Sequence, residues 1–97
     1  MYELSGFQRD LLYCVAALNE PHGLEIGREL AEDSSTEVNH GRLYPNLTDL
    51  VEEGLLKKEK KDGRTNLYEL TPLGIEVIEE RQEWESDKLQ ESRIDFD

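Results

Sequence analysis

Basic side chains are concentrated in one short stretch of an otherwise acidic chain. Residues 57–64 hold four of the five lysines, Lys57, Lys58, Lys60 and Lys61, together with Arg64. Cationic groups gathered in this way contact phosphates, which position a protein on a nucleic acid without reading its sequence. Arg64 also has the chemistry to enter a minor groove, where negative potential is concentrated. The alternative is a solvated hairpin in an acidic protein.

A second group of candidate residues precedes this basic stretch. Arg42 and Asn46 are four residues apart, so on a helix they share a face. Arginine pairs with guanine and asparagine with adenine, each through two hydrogen bonds in the major groove. Leucines at positions 43, 47 and 50 would anchor the opposite face. The pattern predicts a base-reading helix whose outward residues are His40, Arg42, Tyr44, Asn46 and Thr48.

Capping signals and apolar periodicity predict four helices that position these residues. Ser5 and Gln8 form a capping box at the start of the first helix, which ends in the turn at 19–23. The second helix is predicted at 24–32 and the third at about 39–53, with a turn at 33–36 between them. Gly54 is a suitable left-handed terminator. Thr71 and Pro72 are typical of a helix start, and the last helix is predicted to reach about residue 90.

Between the third and fourth helices the periodicity changes to that of a hairpin. Two short segments, 55–60 and 65–70, flank Lys61-Asp62-Gly63-Arg64, and Asp-Gly between such runs is a strong hairpin signal. Side chains alternate along a strand, so the four lysines cannot all face one way. We expect Lys58, Lys60 and Lys61 to contact phosphate.

Three helices, a hairpin and a fourth helix are the element order of a winged helix-turn-helix. The predicted fold class is therefore mostly α with a small β-hairpin. Residues 1–72 would form the DNA-binding winged helix-turn-helix, with the hairpin as its wing. Residues 73–97 would form a C-terminal dimerisation helix and tail.

Two sequence segments resemble one family of regulators. Gly41-Arg42-Leu43-Tyr44-Pro45-Asn46-Leu47, followed by Leu50-Val51-Glu52-Glu53-Gly54-Leu55, is similar to the recognition-helix signature of PadR-like transcriptional regulators. Gly63-Arg64, Tyr68-Glu69-Leu70-Thr71 and Gly74 resemble that family's wing and the start of its last helix. The resemblance covers roughly residues 5–90, and the acidic, lysine-poor background is similar to the branch found in halophilic archaea.

The resemblance implies a winged helix that dimerises through its C-terminal helix and usually represses transcription. Two features depart from the family pattern. Arg42 stands where many relatives have threonine, which implies a different base contact. The chain also ends after one C-terminal helix, so the larger effector-binding region of some relatives is expected to be absent, and no effector is specified.

The last helix carries apolar residues far from the predicted core. Trp84 is the only tryptophan and lies among charged residues. An intermolecular partner would bury it, and a two-fold dimer suits a protein that reads DNA with paired helices. The alternative is packing onto the first helix through Tyr2, Leu4 or Phe7. The predicted dimer interface consists of Leu73, Val77, Trp84 and Leu89.

Two positions in the third helix leave alternatives open. Pro45 lies inside the helical pattern, where proline removes a hydrogen bond and clashes with the carbonyl of Gly41. The helix therefore either kinks near Gly41 or starts later than residue 39. Tyr44 is either a contact to the DNA backbone or an aromatic residue packed against the wing.

Length and composition exclude several classes of protein. The 97 residues are enough for one domain, and a single cysteine excludes a disulfide scaffold. The longest apolar run, Leu11 to Leu18, is too short for a membrane span, which needs about 20 residues, and lacks the flanks of a signal peptide. We therefore expect a cytoplasmic protein.

The net charge of −12 opposes DNA binding, but residues 38–70 carry six acids and six bases and are neutral.

Neither a metal centre nor catalysis is predicted. Cys14 lies on the apolar stripe of the first helix and reads as a core residue. Together with His22, which belongs to the turn before the second helix, and His40, it lacks metal-ligand spacing. No nucleophile and base are paired, so neither an enzyme nor a cofactor is expected. The predicted function is a dimeric DNA-binding repressor from a high-salt cytoplasm. The alternative is a protein-interaction winged helix that does not bind DNA, although such a module has no need of a lysine-rich wing.

Overall fold

The computed structural model describes residues 3–32 and 39–91. The elements are α1 (Gly6–Ala17), α2 (Gly23–Glu32), α3 (His40–Glu52), β1 (Leu56–Lys60), β2 (Asn66–Leu70) and α4 (Pro72–Glu91). The strands form one antiparallel hairpin, the wing. The predicted winged helix-turn-helix, mostly helical with a small hairpin, is confirmed. The predicted turn at 33–36 and Tyr2 lie outside the described residues.

One apolar core joins all the described elements. It is built from apolar residues of α1 and α3, from Ile26 of α2, from residues of the wing and from the first turns of α4. Leu11, Leu43, Leu47 and Leu50 are completely buried, and each leucine removed from water stabilises a fold by roughly 1.5–3 kcal/mol. Cys14 is also buried, as its place on the apolar stripe predicts. The core therefore holds α3 by its apolar face and leaves the opposite face exposed to solvent.

The connection between α1 and α2 extends the wing into a third strand position. The chain turns at Glu20, which has a positive φ of 46°. The backbone N–H of Tyr68 donates to the carbonyl of Pro21 at 2.9 Å, and His22 bridges Leu67 of β2. α1 ends at Ala17, with Leu18 as its cap, directly before the predicted turn at 19–23, and Pro21 and His22 of that turn bond to β2.

α3 begins at His40, with the Asn39 side chain as its cap, accepting from the N–H of Gly41 at 2.7 Å. Pro45 lies inside the helix. The helix therefore starts one residue after Asn39 and includes Pro45. Proline at this position has no N–H to give to the carbonyl of Gly41, so this turn of α3 depends on contacts other than the regular helical hydrogen bonds.

The end of α3, the start of β1 and the start of α4 meet at one joint, formed by Gly54, Leu55, Thr71 and Gly74. Gly54 ends α3 with a φ of 80°, the left-handed conformation that glycine adopts without strain. The hydroxyl of Thr71 donates to the carbonyl of Gly54 at 2.6 Å and accepts from the N–H of Gly74 at 3.0 Å. The N–H of Thr71 donates to the carbonyl of Leu55 at 3.1 Å. α4 is thus hydrogen-bonded at its root to the end of α3.

The tip of the wing is organised by one carboxylate. Asp62 Oδ1 accepts from the backbone N–H groups of Arg64 and Thr65, both at 2.9 Å. These hydrogen bonds, that from Arg64 foremost, favour the ionised form and lower the pKa of Asp62 below 3.8. The turn that holds Arg64 in place is therefore built on an ionised side chain.

We expect the wing tip to loosen in acid. A carboxyl group with a lowered pKa in the folded state stabilises the turn above its unfolded pKa, and that contribution is lost as the pH falls through the folded pKa. Protection of the Arg64 and Thr65 amides from hydrogen exchange, corrected for intrinsic rates, should fall below about pH 4. Asp62→Ala should lose this protection at every pH. Asp62→Asn, which keeps an acceptor oxygen but does not titrate, should show no fall, and full protection in Asp62→Ala would contradict this account of the turn.

α4 has two parts with different surroundings. Val77 and Ile78 are buried in the core of the same chain, and Leu73 packs against that core. Further along, Trp84 is 41% exposed and Leu89 50% exposed. The prediction that Val77 forms a dimer interface needs correction, because the chain's own core already covers it, whereas Leu73 is only partly buried. None of the described helices is long and apolar enough to cross a bilayer.

Candidate nucleic-acid interface

The outer face of α3 carries the polar residues that the sequence assigned to DNA. His40, Arg42, Tyr44 and Thr48 are exposed, whereas Asn46 is half-buried. The three leucines that anchor the helix are completely buried on the opposite side. The helix therefore presents a polar face held by a rigid apolar one, as a major-groove reader requires.

Arg42 does not extend freely into solvent. Its guanidinium carbon lies 4.0 Å from the centre of the Phe7 ring of α1, within the range of a cation–π interaction. Phe7 in turn packs against the core. Sequence reasoning missed this contact, because the two residues are far apart in the chain and Phe7 reads as one more apolar residue of α1.

The side chain of Asn46 is occupied within the fold. Its Oδ1 accepts from Gln8 Nε2 at 3.1 Å, and its Nδ2 donates to the carbonyl of Arg42 at 2.8 Å. A bidentate contact with adenine needs these same two atoms. Each of the two atoms keeps one further hydrogen-bonding position, so Asn46 would contact a base only from an amide that Gln8 and the Arg42 carbonyl already hold, and periodicity along α3 does not reveal Gln8.

Tyr44 packs against neighbouring residues while part of its ring stays exposed. Its ring lies over Gly23 at the start of α2, where a Cβ would come within 2.5 Å of it. It also packs edge-on to His40, with ring centres 6.0 Å apart. On its wing side stands Tyr68, whose pKa is raised by burial and, to a lesser extent, by Tyr44. Tyr44 is nevertheless 39% exposed, so it packs against its neighbours and still reaches the surface.

A cleft of about 190 Å³ separates α3 from the wing. It is lined by side chains from three places: the start of α2, the middle of α3 and the wing from its tip to Tyr68. His22 stands on the α2 side, where its Nδ1 accepts from the N–H of Glu25 at 3.3 Å, which confirms its place in the turn before α2. The lining residues are His22, Gly23, Leu24, Tyr44, Arg64, Thr65, Asn66 and Tyr68. Sequence reasoning missed His22, Thr65 and Asn66 because only the folded wing brings them to Tyr44.

Strand register separates the wing lysines into two sets. Lys58 pairs with Tyr68, and Lys60 pairs with Asn66. Residues directly opposite one another share a face of the hairpin, so Lys58 and Lys60 lie on the face that carries the cleft. Lys57 pairs with Glu69 and lies on the other face. Lys61 and Arg64 are exposed at the tip.

Within residues 3–32 and 39–91, no three histidine, cysteine, aspartate or glutamate side chains are grouped closely enough to hold a metal ion. The interface is instead a row of exposed arginine, histidine, tyrosine and lysine side chains between α3 and the wing. Such groups contact phosphates and base edges.

Comparison with solved structures places this arrangement among winged-helix proteins. RosR of H. salinarum, in crystals grown from NaBr, is 45% identical, with a TM-score of 0.84, over 89% of this chain and 77% of that one. A complex structure of RosR is 46% identical, with a TM-score of 0.83, over 88% and 75% of the two chains. A winged-helix DNA-binding protein from STIV shares the fold with a TM-score of 0.72 at 18% identity, over 86% and 90% of the two chains.

Of the two sequence comparisons, with curated proteins and with family profiles, the second assigns the chain to a family. No curated protein matches the chain. The profile described as the transcriptional regulator PadR-like family matches residues 11–80, most of the chain. This family is non-enzymatic. The resemblance seen in the α3 and wing motifs is therefore confirmed, and the chain belongs to the PadR-like family of transcriptional regulators.

Proposed function

We propose that the protein is a sequence-specific repressor that binds double-stranded DNA as a homodimer. Residues 1–72 bind DNA, and residues 73–97 bring two chains together. α3 enters the major groove, and the wing holds the adjacent backbone. The observation that carries the proposal is the placement of Arg42, His40 and Tyr44 beside a lysine-rich wing in a chain whose net charge is −12.

The two elements divide the work. Arg42 is the exposed side chain of α3 best suited to a bidentate base contact. Tyr44 and His40 flank the cleft side of the helix, within reach of a phosphate passing between α3 and the wing. Lys58 and Lys60 lie on the same side of the hairpin as this cleft, so they are placed to contact the phosphates of the DNA backbone there. Arg64 and Lys61 at the tip would meet the backbone or the minor groove beyond it.

The dimer is supported by the exposed outer half of α4. Trp84 and Leu89 are large apolar side chains that the chain leaves 41% and 50% exposed. Arg81 and Lys88 flank the Trp84 ring, with the Arg81 guanidinium carbon 4.3 Å from its centre. Tryptophan and arginine are among the residue types enriched at the centres of protein interfaces. We place the two-fold contact here, beyond the core-bound turns of α4.

The division of work predicts different losses for the two elements. The DNA would be the duplex that the wild type selects from a randomised library in molar KCl, compared with a scrambled duplex at one fixed KCl concentration. Arg42→Ala should lower the preference for the selected duplex by about 10- to 100-fold, the value of one bidentate contact. Lys58→Ala with Lys60→Ala should weaken binding to both duplexes about equally, because phosphate contacts carry no sequence information.

Lys57→Ala is the matched control for Lys58→Ala alone, since each removes one positive charge, but from opposite faces of the hairpin. Lys57→Ala should leave affinity closer to that of the wild type than Lys58→Ala does. If the wing variants lose specificity while Arg42→Ala loses only general affinity, the two elements have the opposite roles. If the folded wild type binds no duplex at all, the protein is an interaction module rather than a DNA-binding repressor.

The acidity predicts a protein adapted to high salt. Self-repulsion among the acids should destabilise the fold at low ionic strength, and screening should relieve it. We expect the thermal midpoint to rise between dilute buffer and molar KCl by at least about 4–8 °C, which corresponds to roughly 1 kcal/mol. Glu79→Gln with Glu83→Gln, two exposed acids of α4, should reduce this rise. A midpoint that stays flat or falls would remove the basis for a high-salt protein.

A further inference from the structure

A chain of polar contacts runs from the start of α1 to the reading face of α3. The side-chain oxygen of Gln8 belongs to the capping box of α1: Oε1 accepts a hydrogen bond from the backbone N–H of Ser5 at 3.2 Å. The side-chain nitrogen reaches α3, where Nε2 donates to Asn46 Oδ1 at 3.1 Å. Asn46 makes a second hydrogen bond, in which Nδ2 donates to the backbone carbonyl of Arg42 at 2.8 Å. Each amide therefore has its acceptor and its donor directed to different partners.

The first turn of α1 also holds the side chain of Arg42. Phe7, next to Gln8 in the chain, lies beneath the Arg42 guanidinium at 4.0 Å. Arg42 is thus held at its carbonyl by Asn46 and at its guanidinium by Phe7. An arginine in solution loses much rotamer freedom when it binds, and a preset conformation reduces that loss.

The local backbone of α3 explains why such support is needed. Pro45 has no N–H for the carbonyl of Gly41, so one hydrogen bond of the helix is missing next to Arg42. The Asn46 side chain gives the neighbouring carbonyl, that of Arg42, an additional donor. The bond from Gln8 then fixes the Asn46 amide from outside the helix.

We infer that Phe7, Gln8 and Asn46 are positioning residues that set the conformation in which Arg42 reads its base pair, and that Asn46 does not read a base itself. This inference rests on the proposed function. Part of the sequence specificity of α3 then depends on the first turn of α1, although α1 itself does not enter the groove.

The test uses base preference resolved by position. The wild type, Arg42→Ala, Asn46→Ala and Gln8→Glu would each select duplexes from one randomised library at one KCl concentration. Gln8→Glu keeps the acceptor that caps α1 but replaces the donor to Asn46 by a carboxylate. We expect Asn46→Ala and Gln8→Glu to relax preference at the same base pair as Arg42→Ala, by about tenfold for a contact of this kind. Preferences at the other positions should stay as in the wild type.

Matched variants separate positioning from stability and from charge. Ser5→Ala weakens the cap of α1 without touching the amide contact, so it should lower the thermal midpoint and leave base preference unchanged. Gln82→Glu adds the same negative charge at an exposed site on α4 and should leave base preference unchanged. Phe7→Leu should relax the Arg42 position, and Phe7→Tyr, which keeps an aromatic face, should restore it.

The outcomes distinguish this inference from the proposed function. If the wild type selects no preferred sequence, the proposed function fails, and the inference fails with it. If the wild type selects a sequence and Gln8→Glu selects the same one with equal preference, only the inference is overturned. It is also overturned if Asn46→Ala relaxes a base pair different from that of Arg42→Ala, because Asn46 would then read that base directly.

Discussion

Trp84→Ala should convert the proposed dimer into a monomer at micromolar concentration in molar KCl. Trp84 keeps 41% of its surface exposed in the single chain, so its truncation removes little from the fold of one chain. A tryptophan at the centre of an interface typically contributes at least about 2 kcal/mol, or roughly a 30-fold change in dissociation constant. Sedimentation equilibrium across a concentration series measures the change directly.

Leu24→Ala is the matched control for this experiment. Leu24 is another large apolar residue, 44% exposed, but it lies on α2 beside the wing rather than on α4. Its truncation should leave the assembly unchanged. A wild-type protein that sediments as a monomer at micromolar concentration would contradict the dimer, and an equal effect of both variants would place the interface elsewhere.

Gly74→Ala should destabilise the fold more than any exposed substitution. A Cβ on Gly74 would overlap the carbonyl oxygen of Leu55, a backbone atom, and would also press on the Leu70 side chain at 3.2 Å. Neither α4 nor the end of α3 can move aside without breaking the hydrogen bonds of Thr71. Overpacking of this kind costs typically about 1–3 kcal/mol or more, which urea unfolding with an unchanged slope would report.

Gly6→Ala provides the comparison for a glycine without close neighbours. Gly6 is the first residue of α1, and a Cβ added there would lie 4.0 Å from the end of the Arg9 side chain, an ordinary contact distance. Alanine is the better helix former, so this variant should be neutral or slightly stabilising. A Gly74→Ala protein as stable as Gly6→Ala would show that the joint between α3 and α4 is not as tightly packed as described.

Local signals in the sequence predicted most of the elements correctly. The capping box at Ser5, the terminator at Gly54 and the cap at Thr71 all lie within a few residues of the ends that they define, so each can be read from neighbouring positions. The Asp62-Gly63 turn placed the wing for the same reason. The turn between α1 and α2 was also predicted, but its pairing with β2 was not, because β2 follows much later in the chain.

The interface was predicted less well because it depends on contacts between distant residues. Periodicity placed Asn46 on the outer face of α3, but only the fold shows that Gln8 already occupies it. Val77 has the spacing of an interface residue, yet the core of its own chain covers it. Register, rather than composition, decides which lysines of the wing share a face with the cleft.

The joint at Thr71 has a thermodynamic consequence for a dimer formed through α4. The hydroxyl and N–H of Thr71 tie the root of α4 to Gly54 and Leu55, directly after α3. In such a dimer the angle between the two α4 helices sets the separation of the two α3 helices. Dimer formation and DNA binding therefore depend on the same arrangement of α3 and α4. Their free energies are coupled, and such coupling is reciprocal. A duplex whose half-sites match that separation should tighten the dimer by the same factor by which dimer formation tightens binding to the duplex.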